Sequence, residues 1–456
     1  MVSRNVEHFC LIPRFLSMAV LRYGTDSSLD LELSDGKLPV ECGTPRGRPP
    51  DDLAAAVSDA LRNPLDYPPL ARSTTPGDRV VLALDQGIPQ ATQITAAVIL
   101  ALVDARVDPD GITVLRTPAD ADADVDGAVD ADVDGAVDVD IDGDVDAAAD
   151  DPLRLVPGPI RRRITLVTHD PTDRRGLAYL AANDSGDRIL LSRALHDADL
   201  VLPIGCLHAE TAAGYYGIHG AVFPAFSDRK TQQRFRSLGS LDADSSHRVG
   251  LLREVDQVAW LLGVHFTIQL VPAAGGSVLH VLAGQSEAVR RRSRDLYERA
   301  WSWPPPPRAS LVVAAIEGGS DQQTWHNFGR ALDTATRLVE DDGSIAVCCD
   351  LAAAPGPAMQ RLVGAHSRQA ALRQIRKERP PDAFPAAQLA RALDPGKVYL
   401  LSRLAPSLVE DLDMIDVAAP EELARLARHH DSCTLLANAP HTVIADSQNH
   451  ARTAEP

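Results

Sequence analysis

Short apolar runs alternate with longer amphipathic stretches along most of the chain. The runs read as buried strands, and stretches with apolar residues three and four apart read as helices. Asp51 to Arg62 predicts a helix, Val80 to Leu84 a strand, Ala91 to Ala105 a helix with few charges, and Ile112 to Leu115 a strand. Ile164 to Thr168 predicts a strand, Ile189 to His196 a short strand and helix, and Leu200 to Ile204 another buried strand. Val249 to Leu262 carries apolar residues at 251, 252, 255, 258, 259 and 262, a helical spacing. Phe266 to Val271 and Val278 to Ala283 predict a hairpin, and 285 to 301 a basic helix. The prolines from Pro304 to Pro307 fit neither a helix nor a central strand, and they mark a domain boundary. Beyond them, Ser310 to Ile316 predicts a buried strand, Gln322 to Val339 a helix, and Ile345 to Asp350 and Val398 to Ser402 further strands. This alternation predicts an α/β fold with largely parallel sheets, in two domains that face each other across a cleft.

Two loops at strand ends carry the candidate chemistry. The first follows Leu200 to Ile204 and holds His208, Glu210, Tyr215, Tyr216 and His219 among Gly214, Gly217 and Gly220, with Lys230 beyond. Glycines let backbone approach a ligand, while His and Glu supply proton transfer or metal ligation. A loop at the carboxyl end of a buried strand is where an α/β protein usually places its site. The second loop follows Ser310 to Ile316 and reads Glu317-Gly318-Gly319, then Asp321 and Gln322, before a predicted helix whose first amides suit an anion. Spacing alone leaves both open to a plainer reading as turns with surface histidines.

The first loop resembles the central motif of the lactate racemase (LarA-like) family, with Ala213-Gly214-Tyr215 and Pro224 in register. Leu21 to Gly24, Ala60 to Pro64, Gly77 to Asp85 with Pro89, Val398 to Pro406 and Thr442 to Asp446 resemble other family segments. The resemblance implies a racemase or epimerase of a small 2-hydroxy acid, in which a nickel-pincer nucleotide takes hydride from the substrate and returns it. It also places Glu210 in the slot of the family's His base, Gly220 in that of the Lys that holds the cofactor covalently, and Arg236 near that of a nickel-binding His. Asp85 is kept in the substrate loop, but Ile88 stands where the family has Arg, and Arg116-Thr117-Pro118 where a second His belongs. The family's later Gln and Lys fall near His326 and Gly329. A pincer cofactor bound here would therefore be non-covalent.

On this reading the catalytic candidates are His208, Glu210 and His219, and His219 is also the metal candidate. Asp85, Tyr215, Tyr216, Asp321, Gln322 and His326 would contact substrate, and Gly217, Gly220, Lys230, Gly318 and Gly319 the cofactor. The alternative is a divergent or catalytically inactive small-molecule-binding protein of the same fold. The implied layout is a first domain over 18–303, a second over 308–440, a strand at 441–446 returning to the first, and a disordered tail over 447–456. Residues 1–17 are either an extension ahead of a start at Met18 or a disordered tail.

Composition adds bounds. Forty-five per cent hydrophobic residues suit a globular protein, but with 4% aromatics its cores must rely on Ala, Val and Leu. The six cysteines show no paired metal spacing and read as reduced thiols of a cytoplasmic protein. No run approaches the roughly 18 apolar residues of a membrane span. The net charge of −18 is local: residues 120–151 hold 14 Asp and no Lys or Arg, and without them it falls to −4. The rest of the chain is too weakly charged to suggest nucleic-acid binding. Within that insertion Asp-x-Asp-x-Asp-Gly recurs at 122, 130 and 138, as in the start of a calcium loop. The twelfth positions are Val133, Ile141 and Ala149, where such a loop needs Glu. The segment reads as a solvated, disordered expansion.

Overall fold

The computed structural model describes residues 19–31, 39–118, 151–183, 185–242, 245–394 and 396–445. The expectations for residues 1–17, the acidic insertion and the tail from 447 fall outside the described residues, apart from Asp151 at the insertion's end. In chain order the strands are β1 (Ala19–Tyr23), β2 (Ser27–Leu31), β3 (Val40–Cys42), β4 (Val80–Leu84), β5 (Ile112–Arg116) and β6 (Thr165–Thr168). Next come β7 (Leu177–Ala182), β8 (Arg188–Ser192), β9 (Leu200–Cys206), β10 (Phe266–Pro272), β11 (Val278–Gln285) and β12 (Ser302–Trp303). The last are β13 (Ala309–Ala315), β14 (Val339–Cys348), β15 (Lys397–Leu401), β16 (Ile415–Asp416), β17 (Cys433–Leu436) and β18 (Val443–Ile444).

Two six-stranded sheets organise the chain. The first has the order β11-β10-β9-β4-β5-β6, parallel except for the β10–β11 hairpin. The second has the order β16-β15-β14-β13-β17-β3, parallel throughout. The architecture is α/β with largely parallel sheets, as the alternation of elements predicts. Every residue of β4 and β10 is buried. Continuous apolar runs of this kind are what a parallel sheet covered on both faces requires. Small and branched aliphatics do fill the cores: Val80, Leu82, Ile94, Ile99 and Ile268 in the first, Val312, Ala331, Leu332 and Val347 in the second.

The packing divides differently from the expected 18–303 and 308–440. The β1–β2 hairpin lays Leu21, Leu29 and Leu31 on Leu311, Val313 and Leu435, so it covers a face of the second sheet. β3 then extends the same sheet by pairing with β17. The apolar alternation of residues 19–31 marks one buried face but not which sheet it covers. The prolines from Pro304 to Pro307 run irregularly between β12 and β13, and β18 pairs in parallel with β12.

The helix expected from Gln322 starts instead at Trp325 and ends at Thr336. Gln322 is held in a turn by its N–H to the Gly319 carbonyl. Thr324 caps the helix by accepting a hydrogen bond from the Asn327 N–H. A side-chain oxygen at this position satisfies one of the first amides, which otherwise lack partners.

Candidate functional site

In the first sheet β4 and β9 are neighbours, and the chain leaves β4 toward β5 on one side while β9 leads to β10 on the other. In the second sheet β13 and β17 are neighbours too: the chain leaves β13 toward β14, while β17 lies on the other side, next to β3, and the chain then leaves the sheet. Such reversals leave a crevice at the carboxyl ends of the two strands, because the connections diverge there. Asp85 follows β4, and Cys206 and His208 end or follow β9. Glu317 follows β13, and the segment 437–442 follows β17.

The two crevices meet. The rings of His208 and His441 lie nearly parallel, 9° apart, with centroids at 5.6 Å. Arg330, on the helix after β13, brings Nη1 to 3.3 Å from both ring nitrogens of His208. One donor cannot point at two lone pairs that diverge in the ring plane, so the guanidinium lies against the ring and leaves them free. Arg330 also donates to Asn327 Oδ1 at 3.2 Å and to the Ala213 carbonyl at 3.5 Å. All these partners are neutral. Tyr215 meets His208 edge-on at 5.7 Å, and Tyr297 donates its hydroxyl to the His441 carbonyl at 2.7 Å.

Burial, with the Arg330 charge and His441 adding to it, holds the His208 imidazole well below its ordinary range. Burial and Arg330 bring His441 down to about 3. Both rings are therefore neutral at physiological pH. Burial raises the Asp85 carboxyl to about 6, against the Gln86 N–H at 2.9 Å and the Arg330 charge, which favour ionisation. Burial also pushes the Tyr215 hydroxyl and the Cys206 thiol up, so both keep their protons. Arg330 is itself lowered by burial, but a guanidinium starts far enough above neutrality to stay cationic. The cluster is thus one cation, two neutral imidazoles and a carboxyl poised near neutrality.

The first loop is held from behind by Arg248. This buried side chain donates to the carbonyls of Glu210 at 2.6 Å, Ala212 at 3.4 Å, Tyr215 at 3.0 Å and Ser240 at 3.1 Å.

The remaining candidates scatter. Glu210, aligned with the family's His base, is exposed and pairs with Arg294 at 3.1 Å. A turn closed by the Ala212 N–H and the Ala209 carbonyl takes up residues between the crevice and Gly214, so His208 is the residue that faces in. His219 bonds Asp256 through Nδ1 at 2.9 Å, with Arg290 Nη2 3.3 Å from the same nitrogen. Burial would raise Asp256, but the hydrogen bonds from His219 and Arg290 outweigh it and hold the carboxyl low. Tyr216 is buried among aromatics and donates its hydroxyl to the Phe235 carbonyl. Lys230 is exposed and pairs with Asp187 at 3.0 Å. A Cβ on Gly220 would come within 3.0 Å of the Gly217 carbonyl oxygen, while Gly217 has a φ of +77°.

On the second loop Gly318 has a φ of +113° and, with Gly319, forms the turn before the helix. Asp321 is exposed and accepts from the buried Gln322 Nε2 at 3.1 Å. His326 is partly buried. Gly329 is closed to side chains, since a Cβ would lie 2.4 Å from Gln388 Oε1 and 2.8 Å from Pro385 Cα. One residue beyond each of the positions 326 and 329, Asn327 and Arg330 form a polar pair on this helix, 3.2 Å apart. Sequence reasoning missed Arg330, His441, Tyr297 and Arg248. The i, i+3 pairing of Asn327 with Arg330 on one helix face was a usable signal, whereas nothing near His441 marks it.

Residues 147–247 match the lactate racemase N-terminal domain family. The lactate racemase apoprotein from Thermoanaerobacterium thermosaccharolyticum superposes with a TM-score of 0.69 over 94% of this chain and 100% of its own, at 16% identity. The chain has the fold of that lactate racemase apoprotein. A Thermotoga maritima protein is also similar, with a TM-score of 0.61 and 12% identity over 87% of this chain and 99% of its own. No curated protein matches. Among the described residues, no three His, Cys, Asp or Glu side chains are grouped to hold a metal ion. None of their helices is long and apolar enough to cross a membrane.

Proposed function

We propose that this chain binds a small 2-hydroxy acid where its two crevices meet, without a covalently held nickel-pincer nucleotide. The observation that carries the reading is Arg330, a cation whose hydrogen-bond partners are all neutral, beside two neutral imidazoles. A guanidinium fork matches a carboxylate in two parallel hydrogen bonds. Neutral His208 accepts from the ligand hydroxyl, and Asp85 supplies a second carboxyl near its own pKa. The cavity beside Arg330 measures about 30 Å³, room for water but not for a hydroxy acid. Side chains around Arg330 therefore move when a ligand enters.

The resemblance to lactate racemases raises a pincer cofactor, and the residues present do not fit one. Gly220 offers no amine, and a Cβ there already crowds backbone. His219, the metal candidate, gives Nδ1 to Asp256 and keeps a buried Nε2 without a partner, but among the described residues no further ligands are grouped with it, and the Arg290 cation lies alongside. Lys230 is spent in a surface ion pair.

A second reading, racemase or epimerase activity on the same acid, is favoured by His208, which lies inside the matched racemase segment and carries a free neutral ring. Calorimetric titration with sodium lactate tests binding, and chiral analysis of product with protein from the native host tests racemisation. Arg330→Met should weaken lactate binding at least tenfold while the fold survives. Equal affinity in the variant would refute the binding reading.

A further inference from the structure

We infer that an open cavity on the far side of the first loop, lined by Arg188, Lys377 and Arg379, is a binding site for a phosphoryl dianion, either inorganic phosphate or the phosphate end of a small ester. It shares no lining residue with the cavity beside Arg330.

The cavity measures about 210 Å³. That is small beside the roughly 300–1,000 Å³ of sites for drug-sized ligands, so its occupant is a compact ion or group. One wall is Arg188 on β8, with Lys230 and Arg234 on the helix Arg229–Phe235. The facing wall is the end of the helix Arg368–Glu378, whose Ile375 is buried in the core of the second sheet, with Lys377 and the following Arg379. The carboxylates in the lining are already matched: Asp187 takes Lys230 at 3.0 Å, and Glu378 takes Arg361 and Gln374. Arg234 forks onto Glu254. Arg188, Lys377 and Arg379 remain, and among the described residues none of the three has a side-chain hydrogen bond or ion pair.

Arg379 occupies a position that favours glycine. It closes its helix with φ at +53°, its N–H on the Ile375 carbonyl. Helix ends of this shape commonly carry Gly, because a side chain is disfavoured in the left-handed region. Here the position holds a guanidinium that lines the cavity. Basic side chains at a helix C-terminus also suit its dipole, but the dipole of one helix gives no account of Arg188 on the facing wall. Cations gathered without counter-ions repel one another, and a bound anion removes that repulsion. The Lys230 ammonium has three donors and spends one on Asp187, so cations from three segments can serve one ligand. That arrangement fits a tetrahedral dianion, whose oxygens diverge, better than a planar carboxylate. A guanidinium fork matches two phosphate oxygens.

Calorimetric titration of the full chain with sodium phosphate, sodium diphosphate and glycerol phosphate, at fixed ionic strength in chloride, tests this. Arg379→Gly suits the positive φ and removes the guanidinium, so the fold survives while phosphate affinity should fall about tenfold, as the loss of one charge-assisted hydrogen bond implies. Adding Lys377→Gln should weaken it further. Arg330→Met should leave phosphate affinity unchanged, as should Arg291→Gln, which removes an exposed cation outside the cavity. No binding of any of the three anions by the unmodified chain overturns the inference. So does an affinity that survives the paired substitution, or one that falls as far in Arg291→Gln, which would assign it to general surface charge. Loss of binding in Arg330→Met would place the anion in the crevice and overturn it too. Equal affinity for phosphate and glycerol phosphate supports the inorganic ion as occupant, and tighter binding of the ester supports an organic one.

Discussion

Asp85 shows what the crevice does to a single group. Its carboxyl is raised from the ordinary 3.8 to about 6 because burial disfavours the charge. A group raised in the folded state stabilises fully below its unfolded value, and that contribution is lost as pH rises through the folded value. The loss therefore falls between about pH 4 and pH 6. Asp85→Asn cannot ionise and should escape it. Its melting temperature should exceed that of the unmodified chain by a few degrees at pH 7.5, with no gain at pH 3.5. A gain that is the same at both pH values would show that burial is not the cause. Little of this was legible from residue types. Asp85 and His208 stood out as reactive side chains after buried strands, but Arg330 and His441 acquire meaning only from a neighbour more than a hundred residues away. Glu210 was the converse case, with the right chemistry but on the solvent side of a turn.

Elements were easier to read than residues. β4 is an unbroken apolar run that a sheet covered on both faces buries whole, whereas β10 buries Thr267 and Gln269 among its apolar residues. Boundaries failed where a side chain closes an end, as Thr324 does for the helix that carries Arg330. The loop after β9 takes its shape from Arg248, which gathers four carbonyls that no strand or helix satisfies. Arg248→Met keeps the length but leaves the Glu210, Tyr215 and Ser240 carbonyls without this donor, while Ala212 keeps the Tyr215 N–H. It should cost about 3 kcal/mol in denaturant unfolding, the scale of a few unmet buried acceptors. Amide exchange should accelerate between 210 and 216 before it does in β9. A uniform loss of protection would instead assign Arg248 to the general core.

For the whole molecule, the alternation of elements gives two parallel sheets but not their division of the chain. Residues 19–42 lie on the second sheet because its open face and edge accept them, a choice that local pattern cannot encode. The acidic insertion begins shortly after β5 and ends at Asp151, which pairs with Arg161. In sequence this segment alternates Asp with small apolar residues, which offer little surface to bury. Replacing residues 120–150 with a short Gly-Ser linker should move the melting temperature by no more than a few degrees. A large loss of stability in calcium-free buffer would contradict this.

The placement of His441 has a consequence for the order in which the protein becomes competent. Every strand of both six-stranded sheets is complete by Leu436, yet the ring that faces His208 has not then been synthesised. A chain stopped at Leu436 should retain the circular dichroism of the full protein, with a lower melting temperature, and should bind lactate more weakly.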